Sequence, residues 1–510
     1  VPSTDAPTRG LTHRTVVGFL WTAWGKGALA VLQMLVLAVL ARLLSPADFG
    51  VVSVSLVVIG FSSIFTQVGL GPAIVQRREL EPRHIETAVV VSVLFGTGLA
   101  ALIWLLAPVA AAFFRDPQVT PVLRALAWLF PIQGLQVVPE SLQRRALHFR
   151  WLAQRDVAAY ALGYGLVGIT AALAGWGVWA LVAGQIAQAL LRAGILLASY
   201  PPRIRHLPEW RAFVELMYFG GGFTIAKVAN QLAVQGDNLV VGRTLGSAAL
   251  GLYGRAYQLM AMPATGFGTI LDNVLFPTMA MVQDDPQRLA AAYRRGVALI
   301  AFVILPISVA LVILAPEFIH IVLGPRWSEV VLPFQILAVG MLFRTSYKMS
   351  DSICRATGAV YRRAARQIVY AMLVIGGAWV GQRWGIAGVA YGVLFALTIN
   401  FLLMAQLSLS VARMTWWSLW RAHVPALMLT AALVPVLWGA AVLLRRWALS
   451  PVVTVIATLG VGLIWSLAVA WCVPHLLVGR DVLWLLKALR SFNPKRPRPA
   501  ELSRAPAGRL

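Results

Sequence analysis

Residues 87–113 read TAVVVSVLFGTGLAALIWLLAPVAAAF, an apolar run without one charged side chain, preceded by Arg77, Arg78 and Arg83. A helix needs about 20 such residues to span the hydrocarbon of a bilayer, so this stretch is a transmembrane helix by length alone. The rest of the chain is built the same way. Its 510 residues are 59% hydrophobic and only 12% charged, with mean hydropathy +0.77, whereas a soluble domain carries roughly 25% charged residues. Comparable runs have cores at 16–41, 49–69, 87–113, 121–141, 157–174, 177–198 and 214–241. They continue at 250–277, 297–321, 330–350, 367–382, 385–411, 424–443 and 452–475. Polar or charged residues interrupt the fourth, seventh, eighth and tenth. The pattern predicts an all-α polytopic membrane protein of about 14 transmembrane helices, which excludes a cytosolic enzyme, a secreted disulfide scaffold and a disordered chain. Cys354 and Cys472 sit at or in apolar segments without ligand spacing, so disulfides and cysteine metal sites are set aside.

A net charge of +24 suits a phosphate binder, but its distribution argues against nucleic acid. The 43 Lys and Arg residues fall mostly in short connections between apolar runs and in a tail ending in Lys495-Arg496-Pro497-Arg498. That placement sets membrane orientation and favours anionic lipid. Clusters such as Arg77-Arg78, Arg144-Arg145 and Arg362-Arg363 share one side by alternation, which predicts an uncleaved first helix and both termini in the cytoplasm. Arg445-Arg446 is the exception. No connection exceeds about 20 residues, so no extramembrane domain is expected to carry a separate activity.

Self-comparison gives two offsets. At 201 residues, Lys26 falls on Lys227, Arg42 on Arg243, Ala47 on Ala248 and Gly50 on Gly251. At 208 residues, Trp176-Gly177 falls on Trp384-Gly385, Gly184 on Gly392 and Pro117 on Pro325. Six helices fit in that interval, an even number, so the halves share one orientation about an axis along the membrane normal. The division expected is a first lobe at 1–205, a second at 206–413, two appended helices at 414–480 and a basic cytoplasmic tail at 481–510.

Charged groups in a bilayer core are costly and face a bundle interior or a watery cavity. Lys26 and its repeat mate Lys227 therefore point to a cationic lumen, with Gln33, Gln231 and Asn238 on the same helix faces. Arg344, Lys348, Asp351 and Arg355, spaced 4, 3 and 4 apart, form a second stripe that cannot face lipid. The lysines read as substrate contacts or as structural ion pairs. Asp237, Asp272 and Asp351 are candidates for ion coupling or for neutralising the cations. Arg42, Arg243 and Arg255 lie near outer helix ends, where snorkelling is the expected role. Gly377, Gly381 and Gly385 carry the spacing of close helix contact. No metal, cofactor or catalytic constellation emerges: Gly25-Lys26 lacks the spacing and hydroxyl of a phosphate loop, and the seven histidines make no ligand pair.

Several stretches resemble a known family. Ala41–Gly50 (ARLLSPADFG), Gly69–Arg77 (GLGPAIVQR), Phe113–Pro117 (FFRDP), Gln143–Arg150 (QRRALHFR), Asp237–Gly246 (DNLVVGRTLG) and Leu250–Tyr257 (LGLYGRAY) are similar to Wzx-type polysaccharide flippases. These belong to the multidrug/oligosaccharidyl-lipid/polysaccharide exporter superfamily, and the likeness spans residues 12 to 480. The resemblance implies two six-helix lobes facing each other in a V, plus two further helices. It implies movement of undecaprenyl-diphosphate-linked oligosaccharide across the bacterial inner membrane for O-antigen, capsule or exopolysaccharide assembly. Lumenal cations would hold the diphosphate while the lobes rock. Polysaccharide polymerase and glycosyltransferases are the expected protein partners. The competing readings are a multidrug or organic-cation antiporter of the same superfamily and, from another class, a membrane glycosyltransferase or polymerase, for which an extramembrane domain and an acidic or His motif are both missing.

Overall fold

The computed structural model describes residues 8–66, 70–77, 80–201, 209, 214 and 230–472, and among these every regular element is helical. The first half contains α1 (Thr8–Leu43), α2 (Pro46–Thr66), the short α3 (Leu70–Gln76) and α4 (Pro82–Phe114). Next come α5 (Val119–Leu126) with α6 (Leu129–Arg145), then α7 (Phe149–Ala159), a π-helical stretch Tyr160–Val167, α8 (Gly168–Leu173) and α9 (Val178–Ser199). The second half starts with α10 (230–244) and α11 (Ser247–Met281), then α12 (Pro286–Ile313) and α13 (Ala315–Val322). A 3-10 turn at Pro325–Val330 leads into α14 (Val331–Val339), bent 43° against α15 (Met341–Ala356), and α16 (Val360–Gly381) and α17 (Gly385–Ala412) complete it. Two more helices follow, α18 (Trp416–Arg446) and α19 (Pro451–Cys472).

Ten stretches among the described residues are long and apolar enough to cross a membrane, eleven if the bent pair is one span. The count of fourteen read from the sequence exceeds this total, and the difference can be located. The stretch Val360–Ala412 turns back at Gln382–Trp384 and makes two passes: Gly377 packs on Gly392 and Gly381 on Gly388, so closely that a Cβ on Gly381 would lie 2.3 Å from the Gly388 carbonyl oxygen. Two of the three glycines expected at a helix contact serve there, and the third, Gly385 at φ +69, is the turn itself. Its repeat mate Gly177 also has positive φ, +55. α11 carries Arg255 and falls outside the ten, and the expected core 214–241 is described only at Val214 and from 230 onward.

Local signals set several ends. Asp285 caps α12, accepting from the Gln287 and Arg288 amides, with Pro286 next in line. Arg445, the exception to the charge rule, lies at the end of α18 and makes a two-pronged pair with Glu317 of α13, at 2.6 and 2.9 Å. A paired guanidinium does not bias orientation as a free one does.

The halves meet by swapped, equivalent contacts. A Cβ added to Gly50 of α2 would lie 2.0 Å from the Ser247 carbonyl oxygen, and one on Gly251 of α11 would lie 2.1 Å from that of Pro46. Pro46 and Ser247, like Gly50 and Gly251, are 201 residues apart. Arg42 donates to the Ile321 carbonyl and Arg243 to that of Phe113, at 2.6 Å for the latter. Phe113 and Ile321 are 208 residues apart. Each half therefore presents to the other the same residues it receives, as an approximate two-fold axis requires. Snorkelling is thus corrected for Arg42 and Arg243: both end on backbone carbonyls across the junction. The fully buried Trp327 indole reinforces it, donating to the Ala41 carbonyl at 2.8 Å and meeting Phe49 edge-on.

Since backbone, not a flexible side chain, stands where a Cβ would go, Gly50→Ala and Gly251→Ala should each cost about 1–3 kcal/mol. Gly439→Ala, whose Cβ meets nothing within 4 Å, is the control. Thermal unfolding followed by size-exclusion chromatography in detergent should show a lowered midpoint for the first two variants and no change for the third.

Candidate functional site

α6 and α9 each present a polar stripe in an apolar setting. On α6 it is Gln133, Gln136, Glu140 and Arg144; on α9 it is Gln185, Gln188 and Arg192. Spacings of 3 and 4 put each set on one helix face. The two faces, with Gly60 and Ser63 of α2, enclose a cavity of about 1090 Å³. The π-helical stretch helps shape it: Gly163 lies so close to α9 that a Cβ there would be 2.3 Å from the Gln188 Cα. Such π segments recur where function needs a helix locally re-aimed.

One end of the cavity is ionic. Arg144 donates to Glu140 at 2.7 Å, and Arg155, with a side chain 1% exposed, donates to Glu140 at 3.1 Å and to Asp156 at 2.7 Å. Arg192 pairs with Asp156 at 2.9 Å. Buried charges survive in a low-dielectric interior when paired in this way. The second half has a related arrangement at its α15–α16 end, where Asp351 accepts from Arg355 at 3.1 Å and from Arg363. Arg155 and Arg363 are 208 residues apart.

The residues expected in the lumen distribute as follows. Lys26 is exposed on α1 beside Gly25, which packs on Ala153 of α7, and Gln33 is half-buried two turns on. Gln231 lies against α2, its amide nitrogen over Gly60, where a Cβ would be 2.8 Å away. Asn238 bonds to Gln235 on its own helix. Asp237 is buried and accepts the Tyr253 hydroxyl at 2.6 Å. Arg344 donates to the Tyr257 hydroxyl and stacks 4.9 Å above its ring, while the Lys348 stem lies along Gly268. Asp351 sits in the two-arginine clamp just described. Lys227 and the Asp272 side chain lie outside the described residues. Arg255, expected to snorkel, lies 4.9 Å over the Phe49 ring and bonds to Gln258.

Formal charge at mid-helix does not mark the cavity, because the polar groups in its largely apolar wall are mostly the neutral amides of Gln133, Gln136, Gln185 and Gln188. The available signal was the 3-4 spacing of Gln, Glu and Arg in the fourth and sixth apolar runs.

A family model described as "Polysaccharide biosynthesis protein" matches residues 39–332. The chain belongs to this family. It is 25% identical over 400 residues to lipopolysaccharide biosynthesis protein WzxC of Escherichia coli K12, covering 77% of this chain and 80% of that one. It is 23% identical over 438 residues to teichuronic acid biosynthesis protein TuaB of Bacillus subtilis 168, covering 84% and 89%. Among solved structures, its fold matches lipid II flippase MurJ in an inward closed conformation with TM-score 0.71, at 12% identity, over 92% of this chain and 99% of that one. An inward-facing multidrug resistance transporter of the MATE family matches with TM-score 0.59, at 16% identity, over 74% and 94%. This polysaccharide biosynthesis protein is thus a multi-pass, all-helical membrane protein with the fold of the flippase and exporter structures it matches.

The ionic end separates two kinds of arginine in this family member. Arg155→Met removes the buried partner that Glu140 and Asp156 share, leaving each one arginine, and should cost about 3–5 kcal/mol. Arg144→Ala, removing a 56% exposed partner, should cost roughly 0.2–1 kcal/mol. Thermal stability of the purified variants checks both.

Proposed function

We propose that this protein carries undecaprenyl-diphosphate-linked oligosaccharide across the bacterial inner membrane, supplying O-antigen, capsule or exopolysaccharide assembly. The observation behind this reading is the cavity of about 1090 Å³ into whose wall four glutamines, Gln133, Gln136, Gln185 and Gln188, bring amides inside an otherwise apolar bundle. Such amides give a hydroxyl-rich solute donors and acceptors to bond.

The swapped junction lies at the ends where α1, α4 and α13 stop, opposite the end of α6 that carries Arg144. With both termini cytoplasmic, the cavity is nearer the cytoplasm and the junction is the outer closure. Residues 1–205 and 206–413 act as the rocking lobes, with 414–480 and the tail 481–510 outside the pseudo-symmetry. Lys26, Lys227, Arg344 and Lys348 line the path with Gln33, Gln231 and Asn238, and the cations hold the diphosphate. Asp237 and Asp272 are the sites for ion coupling. Asp351 belongs with them by position, although its two arginine partners favour a structural role. Anionic lipid around the basic connections, and the polymerase and glycosyltransferases of the same polymer, are the partners. The family resemblance of the fold extends to drug exporters, but an arginine-rich cavity end disfavours organic cations.

Translocation of a fluorescent undecaprenyl-diphosphate oligosaccharide in proteoliposomes tests the reading. The wild type should transport it, and Lys26→Ala with Lys227→Ala should slow transport about tenfold, the factor worth 1.4 kcal/mol. Equal rates at matched incorporation would remove these lysines from the path. An inactive, folded wild type would remove the proposed substrate.

A further inference from the structure

The internal repeat supplies its own control for the cavity. Shifted by 208 residues, Gln185, Gln188 and Arg192 of α9 fall on Val393, Ala396 and Asn400 of α17, and all three of these are buried in the second half. The same helix in the same fold therefore packs without a single one of those polar groups except an amide. In the first half they are half-buried and line the cavity. Neither Gln185, Gln188 nor Gln133 of the facing wall hydrogen-bonds to another described residue. A primary amide carries two donors and a two-lone-pair acceptor. Three of them turned to one space, with no protein partner, make a surface for a solute that donates and accepts at many points.

The ionic end adds a charge requirement. Arg144, Arg155 and Arg192 stand against Glu140 and Asp156, which leaves one guanidinium charge uncompensated. Of the three, Arg144 and Arg192 line the cavity and are partly exposed, so the surplus cation favours one anion at hydrogen-bond range.

We propose that this cavity is a glycan subsite that takes a sugar carrying one anionic group, with its hydroxyls on the Gln133, Gln185 and Gln188 amides and its anion at the Arg192 end. The proposal rests on the oligosaccharide reading above and adds the chemistry of the cargo. The anion has two sources, a sugar carboxylate such as a uronate or a phosphate of the lipid linkage, and both offer oxyanions to a guanidinium.

The test uses full-length protein in nanodiscs, titrated calorimetrically with a glucuronate-containing disaccharide, its neutral glucose counterpart and inorganic pyrophosphate. The acidic disaccharide should bind more tightly than the neutral one. Gln185→Val with Gln188→Ala, the residues α17 has in their place, should weaken it about tenfold. Arg192→Gln should abolish the preference for the acidic sugar over the neutral one. Pyrophosphate binding lost in Arg192→Gln would assign the anion to the lipid linkage, and its absence would assign it to the sugar; both support the subsite. Equal binding of acidic and neutral sugars by the wild type, affinities unchanged in the variants, or no binding of any probe overturns it. Proteoliposome transport separates the two readings: transport by wild type and the double glutamine variant at one rate sinks the subsite alone, while an inactive wild type sinks the transport reading and leaves the binding result to be judged by itself.

Discussion

The last turn of a helix leaves carbonyl groups without an intrahelical partner, and this molecule answers two of those ends from across its own symmetry axis. The last turn of α4 is met by Arg243 and the last turn of α13 by Arg42. Terminal carbonyls need a donor, and here the donor always belongs to the other half. These bonds tie the two halves together at that end, on top of the apolar core that runs through both. The contacts between Gly50 and Ser247 and between Gly251 and Pro46 let the backbones approach closely enough for those arginines to reach. Because the pairs are related by symmetry, a motion that parts the halves there breaks both arginine contacts together. That coupling follows from the placement of two arginines and two glycines.

Much of this was legible in the residues. Apolar runs and their lengths gave the helices, and the 201- and 208-residue offsets gave two like-oriented halves, since Lys, Arg, Gly and Trp matches are hard to produce in a chain of Leu, Val and Ala. The junction was visible only in part. Arg42 and Arg243 matched each other at once, but a side chain near a helix end reads the same whether it bends to head groups or to a carbonyl of a distant helix. The cavity was less legible still. Glutamine costs little on hydropathy and nothing in charge, so Gln133, Gln185 and Gln188 passed as interruptions in helices. Lys26, by contrast, stands out in the sequence, yet its surroundings on α1 are open.

Not every buried charge in the bundle bears on transport, and the repeat helps to sort them. Arg155 with Glu140 and Arg363 with Asp351 occupy corresponding ends of the halves, each tying one helix to the next. A feature present twice in halves with different interiors belongs to the scaffold. The same holds for the positive-φ glycines Gly177 and Gly385, which start corresponding helices. Arg445 and Glu317 play a third structural part, fastening the appended α18 to the second half.

What remains after that subtraction differs between the halves. The first keeps the amide stripe, Asp156 and Arg192; the second keeps Asp237 under the Tyr253 hydroxyl and Arg344 stacked on Tyr257. One interior is rich in uncommitted neutral donors and acceptors, the other in charges already held by aromatic and hydroxyl partners. Moving a long polar head group past an apolar barrier requires both kinds of surface, because hydroxyls and phosphates lose water to different partners. The two copies thus differ in their interiors while the residues that bind them to each other, Arg42 with Arg243 and Gly50 with Gly251, stay matched.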